Sequence, residues 1–140
     1  MAIKRIFTLF ILAMLLVIST SKVFSADVKI IAYYFHGNAR CATCHKMEQY
    51  TKEAIEESFK DELANESLVF RAVNIEVKEN EHFVKDYQLY TKTLIISYLE
   101  DGKEIQYKNL TKIWEYAMDK QRFLNYVTTE IKNYLKDAQE

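Results

Sequence analysis

Proline is absent from the 140 residues of this chain, and glycine occurs only twice, at Gly37 and Gly102. Internal repeats and low-complexity segments are also absent, so the proline-rich or glycine-rich linkers that separate domains are excluded. The 19 basic and 20 acidic residues are mixed along the chain, without a block of one sign that would attract nucleic acid. We therefore expect a single domain with a hydrophobic core and no nucleic-acid partner.

A hydrophobic run long enough to cross a membrane is missing too. The apolar stretch Ile6–Ile18 follows two basic residues and is far shorter than the roughly 20 residues of a membrane span. These features are typical of a signal peptide, and we predict one at 1–25, cleaved after Ser25. The domain at 26–140 is then extracytoplasmic, either periplasmic or secreted. If the leader is not cleaved, it tethers the domain to a membrane.

The chain has only two cysteines, in Cys41-Ala42-Thr43-Cys44. Two cysteines in an exported protein are normally oxidised, but a disulfide that closes so short a loop removes little chain entropy. Its use is therefore chemical rather than structural. We predict that Cys41 begins a helix, where unpaired N–H groups, the helix dipole and the charge of Arg40 stabilise a thiolate that attacks a partner. Cys44, one turn inward, resolves the mixed disulfide.

Hydrophobic spacing predicts an alternating order of strands and helices. The predicted strands are Asp27–Phe35, Leu68–Ile75, Leu94–Leu99 and Lys103–Tyr107. The predicted helices run from Cys41 to about Asn65, from Glu79 to Gln88 with Phe83, Val84 and Tyr87 buried, and onward from a cap at Asp119. The fold class is α/β, with a four-stranded mixed sheet in the order β-α-β-α-β-β-α and helices flanking it. Parallel strands joined by helices, closed by an Asp101-Gly102 hairpin, place Cys41 at the carboxyl end of a strand.

Several segments carry a family resemblance. The second half of thioredoxin is similar to Val73–Glu76, Tyr87–Leu89 and Leu94–Gly102. Four segments resemble a family of exported thioredoxin-like proteins: Tyr33–Asn38, Cys41–Cys44, Lys112–Glu115 and Phe123–Val127. This family is named for a nitrophenyl-compound nitroreductase subunit and is associated with arsenic-resistance operons. The resemblance implies a thioredoxin-like fold and exchange with the thiols or disulfides of a partner protein, without a cofactor. An electron relay to a nitroreductase-type or membrane redox partner is implied as well.

The chain departs from the thioredoxin pattern at three positions. Thioredoxins carry a cis-proline facing the redox pair, whereas Thr93 or Leu94 stands there in this chain. The buried acid that thioredoxins place before their motif aligns with Phe35, and the aromatic residue before the first cysteine is replaced by Arg40. Four residues are predicted to line the site: Arg40, His36, His45 and Thr93.

Other uses of the cysteines stay open at the level of sequence. Cys41–His45 is a formal match to the attachment motif of c-type haem, with His45 as one axial ligand and Met47 or Met118 as the other. The two cysteines with His36 or His45 offer three ligands to zinc, and two chains together offer four thiolates to an iron–sulfur cluster. A non-catalytic binding module that keeps the disulfide as a staple is the remaining alternative.

Overall fold

The structure, a computed structural model, describes residues 27–137. The predicted signal peptide at 1–25 lies outside these residues, so its existence and its cleavage stay predictions. Within 27–137, every helix is too short or too polar to cross a membrane.

Four strands form one mixed sheet in the order β2-β1-β3-β4. They are β1 Val28–His36, β2 Leu68–Asn74, β3 Thr93–Glu100 and β4 Lys103–Asn109. The helices are α1 Ala42–Ser58, α2 Lys60–Ala64, α3 His82–Asp86, α4 Ile113–Tyr116 and α5 Lys120–Asp137, with a 3-10 turn at Lys78–Asn80. The predicted thioredoxin-like α/β fold, with a four-stranded mixed sheet and flanking helices, is confirmed.

The central strands are apolar on both faces because both faces are covered. Positions 30 to 35 of β1 are all buried, whereas every residue of the edge strand β4 is exposed. Between β3 and β4, Asp101 and Gly102 take positive φ angles of 50° and 77°, which two-residue hairpin turns require. The predicted hairpin is therefore confirmed.

One face of the sheet, called the helical face below, packs against the two long helices. Its buried strand residues are Ile30, Ala32, Tyr34, Leu68, Leu94 and Ile96. Onto them α1 and α5 lay stripes at helical spacing, with Met47, Ala54 and Ile55 from α1 and Phe123, Val127 and Ile131 from α5. The carboxylate of Asp119 accepts the Arg122 N–H at 3.1 Å, so the predicted cap of α5 is confirmed.

The opposite face, called the aromatic face below, has a thinner cover. Its strand residues are Ile31, Tyr33, Phe35 and Ile95, and they pack against Phe83, Tyr87 and Leu89. The ring centroids of Phe35 and Phe83 lie 5.1 Å apart, and those of Phe35 and Tyr87 lie 5.5 Å apart. The helix predicted over Glu79–Gln88 is shorter here, and Val84, which we expected to be buried, is 38% exposed because it points away from the sheet.

Two further expectations are corrected. The helix predicted to continue from Cys41 to Asn65 breaks at Phe59, whose φ of −134° and ψ of 46° are not helical and whose ring is buried in the core. The third strand, β3, runs antiparallel to β1, so the helical connection from β2 to β3 is not a parallel crossover. A strand buried on both faces shows the same apolar run in either direction, and the sequence pattern therefore did not reveal this.

Candidate redox site

The site is built on Cys41 and Cys44, which form a disulfide with Cα atoms 5.1 Å apart. Cys41 is exposed and lies just ahead of α1 as its N-cap, and its sulfur accepts the Cys44 N–H at 3.2 Å. Cys44, one turn further on, is only 1% exposed. The first turn of α1 contains no acidic residue, so the positive end of the helix dipole is left for an anion on Cys41. This is the placement predicted from the spacing.

Tyr34 supports the pair from below. Its hydroxyl, on the helical face of β1, donates a buried hydrogen bond of 2.7 Å to the carbonyl of Cys44. Burial raises the pKa of Tyr34 to about 12, with the Arg40 charge opposing the shift and the Glu48 charge adding to it. The hydroxyl therefore stays protonated at neutral pH and joins the backbone of Cys44 to the sheet.

Sequence reasoning missed Tyr34, because the position of the thioredoxin acid was assigned to its neighbour Phe35. Successive strand residues point to opposite faces. In the structure Phe35 packs on the aromatic face, while Tyr34 lies beneath α1 and reaches Cys44. The alternation along β1 was the available signal, and it shows that a phenol, not a carboxylate, lies behind the pair.

Arg40 has a charged partner that the sequence did not reveal. Its guanidinium forms an ion pair with Glu48 of α1, and the two side chains are only 21% and 26% exposed. The Arg40 Nε is buried and, among residues 27–137, has no hydrogen-bond acceptor. The predicted positive charge beside Cys41 is therefore present, but it is shared with a carboxylate placed one helical turn beyond Cys44.

The loop before Cys41 is anchored by the segment that follows β2. The Glu76 carboxylate accepts the Asn38 N–H at 3.0 Å, and the Asn74 side-chain amide donates to Asn38 Oδ1 at 2.7 Å. A Cβ on Gly37 would collide with the Glu76 carboxylate. The φ of Gly37 is not positive, so its backbone angle does not require glycine. The lack of a side chain at Gly37 lets the Glu76 carboxylate approach the backbone in its present position.

Two of the residues predicted to line the site lie at its margins. His36, at the end of β1, is half-buried, and its Nδ1 lies 3.0 Å from the Gly37 carbonyl oxygen. It lines a cleft of about 170 Å³ together with Glu76 and Tyr90. His45 is exposed on the first turn of α1. Among residues 27–137, neither imidazole forms a hydrogen bond with Cys41 or Cys44, so both rings are neighbours of the disulfide rather than partners of it.

Thr93, one of the two residues that we aligned with the cis-proline of thioredoxins, is the first residue of β3 and pairs with Phe35 of β1. It is buried, and its hydroxyl donates to Asn109 Oδ1 at 2.5 Å. All peptide bonds in residues 27–137 are trans. Thr93 lines a second cleft, of about 240 Å³, with Trp114 and Tyr90 among its other walls. The loop between the two clefts thus presents Tyr90, which is 94% exposed.

Of the two methionines named as an axial ligand in the haem alternative, Met47 does not fit because it is fully buried in the core, whereas His45 faces solvent. Met118 is 79% exposed, and the two sulfurs to which haem would attach are bonded to each other. A metal site would need further ligands. The third histidine, His82, lies on α3, where its Nδ1 is 2.9 Å from the carboxylate of Asp86. Within residues 27–137, the histidines, cysteines and acids form no group of three or more placed to hold a metal ion.

Comparisons with known proteins give only distant likenesses. No family model matches the chain, and no curated protein matches it. Among solved structures, the chain is similar to a Fasciola hepatica thioredoxin, with 19% identity and a TM-score of 0.39 over 64% of this chain and 79% of that one. It is also similar to a Thermus thermophilus thioredoxin, with 12% identity and a TM-score of 0.35 over 64% of this chain and 72% of that one. At these identities the likeness says nothing about substrates.

Proposed function

We propose that this chain is an exported thioredoxin-like thiol–disulfide oxidoreductase or electron-relay protein that acts on a partner protein through Cys41 and Cys44. The observation that carries the proposal is the asymmetry of the disulfide. One sulfur belongs to an exposed residue at the positive end of a 17-residue helix, and the other belongs to a residue that is 1% exposed. A bridge across three residues adds little stability, so this arrangement is better explained by reactivity.

In the reducing direction, the Cys41 thiolate attacks one sulfur of a partner disulfide. The partner's S–S bond breaks, a Cys41–partner disulfide forms, and the departing partner thiolate takes a proton from solvent. The Cys44 thiol then loses its proton and attacks the Cys41 sulfur. The Cys41–Cys44 bond forms, the second partner thiolate leaves, and two electrons have passed to the partner. The same steps in reverse oxidise a partner dithiol.

The partner's approach is supported by the surface around Tyr90. Clefts of about 170 and 240 Å³ flank the loop that carries this ring, and the indole of Trp114 is 41% exposed beside the second. The indole N–H donates to the Lys92 carbonyl at 2.9 Å, which fixes the ring against the loop. Aromatic side chains of this kind provide contact area at low entropic cost. We propose that the partner's reactive segment lies across this loop.

The finer resemblance is part of the proposal. The segments Tyr33–Asn38, Cys41–Cys44, Lys112–Glu115 and Phe123–Val127 support membership of the exported family named for a nitrophenyl-compound nitroreductase subunit. A nitroreductase-type or membrane redox protein is then the partner to test first. Export is supported by the leader at 1–25, and the exported protein should begin at Ala26 by intact-mass measurement. A mass that retains the leader would replace the secreted form with a membrane-tethered one.

The decisive experiment separates the two sulfurs. Cys44→Ser leaves Cys41 able to attack but unable to be resolved, so it should accumulate a mixed disulfide with the partner on a non-reducing gel. Cys41→Ser should abolish turnover in a thiol-exchange assay and form no adduct, and the double serine variant is the matched control. The proposal fails if both single variants exchange disulfides at the wild-type rate. A Soret band, cluster absorbance or stoichiometric zinc in the purified exported protein would overturn it in favour of a cofactor.

A further inference from the structure

The Arg40–Glu48 ion pair spans the redox motif. Arg40 immediately precedes Cys41, and Glu48 follows Cys44 by one helical turn, so the pair connects the loop ahead of the motif to the second turn of α1. Both side chains are partly buried, and ion pairs that are partly shielded from solvent are screened less than fully exposed pairs. The pair therefore places one positive and one negative charge on residues that flank the two cysteines in sequence, and both charges act on Tyr34, which donates a hydrogen bond to the Cys44 carbonyl.

We propose that Arg40 and Glu48 set the reduction potential of the Cys41–Cys44 couple with opposite contributions, Arg40 favouring the dithiol form and Glu48 favouring the disulfide. This inference rests on the proposed thiol–disulfide reaction. Arg40 and Glu48 act through the cysteines as positioning and tuning residues, and they exchange no electrons themselves.

The sign of each contribution follows from charge. The disulfide is neutral, whereas the reduced form carries a negative charge whenever Cys41 is a thiolate. A nearby cation stabilises the thiolate and so stabilises the reduced form, and a nearby anion does the opposite. Arg40 also has a buried Nε–H that no acceptor within 27–137 occupies, so its guanidinium can serve a second anion while it stays paired with Glu48.

The remaining ionisable groups at this end of α1 do not share this position. Tyr34, from β1 below, is uncharged at neutral pH because burial raises its pKa to about 12. The ring of His36 lies 6.4 Å from that of Tyr34. His45 and Lys46 on the first turn of α1 are exposed, so solvent screens them. The Glu76 carboxylate is occupied by the Asn38 N–H, in the loop ahead of Arg40. The Arg40–Glu48 pair is thus the pair of opposite charges that flanks the couple most closely in sequence.

The test uses Arg40→Gln, Glu48→Gln and the double variant. For each, the dithiol–disulfide equilibrium is measured against glutathione, and the rate of Cys41 alkylation is measured against pH in the reduced Cys44→Ser background. Arg40→Gln should shift the equilibrium toward the disulfide by about three- to tenfold, and Glu48→Gln should shift it toward the dithiol by a similar factor. These shifts correspond to about 15 to 30 mV for a two-electron couple. The double variant should return to within about twofold of wild type.

A merely structural clamp predicts a different pattern, because either single substitution and the double one would all loosen the same contact. Shifts of one sign in all three variants, or no shift in any, would overturn the inference while leaving the proposed function intact. Arg40→Lys keeps the charge and should stay near wild type, which guards against misfolding of the glutamine variants. Glu53→Gln, which breaks the Lys120–Glu53 pair further along α1, is the matched control. If the wild type fails to equilibrate with glutathione, the proposed function is lost, and the alkylation profiles still decide the charge effect.

Discussion

The helical face and the aromatic face of the sheet are stabilised differently. Two helices of 17 and 18 residues cover the helical face, and its strand residues are essentially inaccessible. The aromatic face is covered by α3, a helix of five residues in which none is fully buried. Cys41 and Cys44 lie at the start of α1, one of the two helices that cover the helical face. The better-packed half of the molecule therefore holds the geometry of the cysteine pair.

The two faces also differ in how they reach the site. On the helical face, Tyr34 contacts the backbone of Cys44 directly. On the aromatic face, the hydrophobic cluster includes Leu89, and this residue also lines both clefts beside the Tyr90 loop. We therefore expect the helical face to control the chemistry of the couple and the aromatic face to control the surface that a partner meets.

The largest predicted effect tests the difference in packing. Phe123→Ala removes a fully buried ring between α5 and the sheet and should lower the free energy of unfolding by about 3–5 kcal/mol. Phe83→Ala removes a half-buried ring from α3 and should cost about 1–2 kcal/mol, because part of that ring already faces water. Urea denaturation with the disulfide intact measures both.

Phe83→Ala should also leave the reduction potential unchanged, since its contacts lie with Tyr33, Phe35 and Tyr87 on the far side of the sheet from Cys44. Equal losses of stability in the two variants, or a larger loss for Phe83→Ala, would show that the cover of the aromatic face is not the weaker of the two.

Much of the fold could be predicted from the sequence, because the patterns that indicate strands, turns and helix caps are local. The strand β4, the Asp101-Gly102 turn and the Asp119 cap were each predicted from a few neighbouring residues. The break of the long helix at Phe59 could not be predicted from the sequence, because the helical spacing of apolar residues continues through it. The break depends on the packing of the Phe59 ring in the core. The antiparallel direction of β3 could not be predicted either, because it depends on the pairing of β3 with β1.

The candidate site divides in the same way. The cysteine spacing predicted which residue is exposed and which is buried, since a helix start fixes both. The supporting contacts were missed because they join distant parts of the chain. Glu76 reaches the Gly37–Asn38 loop from beyond β2, and Glu48 is one of several acids on α1 that only the folded loop distinguishes. Such pairings depend on tertiary structure, and no periodic pattern in the sequence indicates them.

A second prediction concerns alkaline pH and the tyrosine of the helical face. Tyr34→Phe removes the hydrogen bond to Cys44 and should cost about 1 kcal/mol at pH 7. Burial raises the pKa of Tyr34 from 10.0 to about 12, so in the wild type the unfolded chain loses this proton first. The contribution of Tyr34 is therefore complete below pH 10 and lost as the pH rises toward 12. At about 1.4 kcal/mol per pKa unit, the wild type should lose about 2–3 kcal/mol through this group.

The stability curves of wild type and Tyr34→Phe should therefore cross between pH 10 and 12, with the variant the more stable at the alkaline end. Chemical denaturation at a series of pH values measures this, and Tyr90→Phe, at a ring that is 94% exposed, is the matched control for loss of a tyrosine hydroxyl. Parallel curves without a crossing would mean that the Tyr34 hydroxyl is not held in its neutral form by the fold.

The smallest predicted effect concerns the polar contact that closes the aromatic face. The Glu104 carboxylate on β4 accepts the hydroxyls of both Ser97 and Tyr87, and together with burial it raises the pKa of Tyr87. Glu104→Gln keeps the shape and one acceptor oxygen but removes the charge, so we expect a loss of about 1 kcal/mol. Hydrogen exchange should quicken across α3 and remain unchanged in α1, because the contact joins α3 to the edge strand. Faster exchange in α1, or a changed reduction potential, would show instead that the two faces respond as one unit and that the couple is not insulated from the aromatic face.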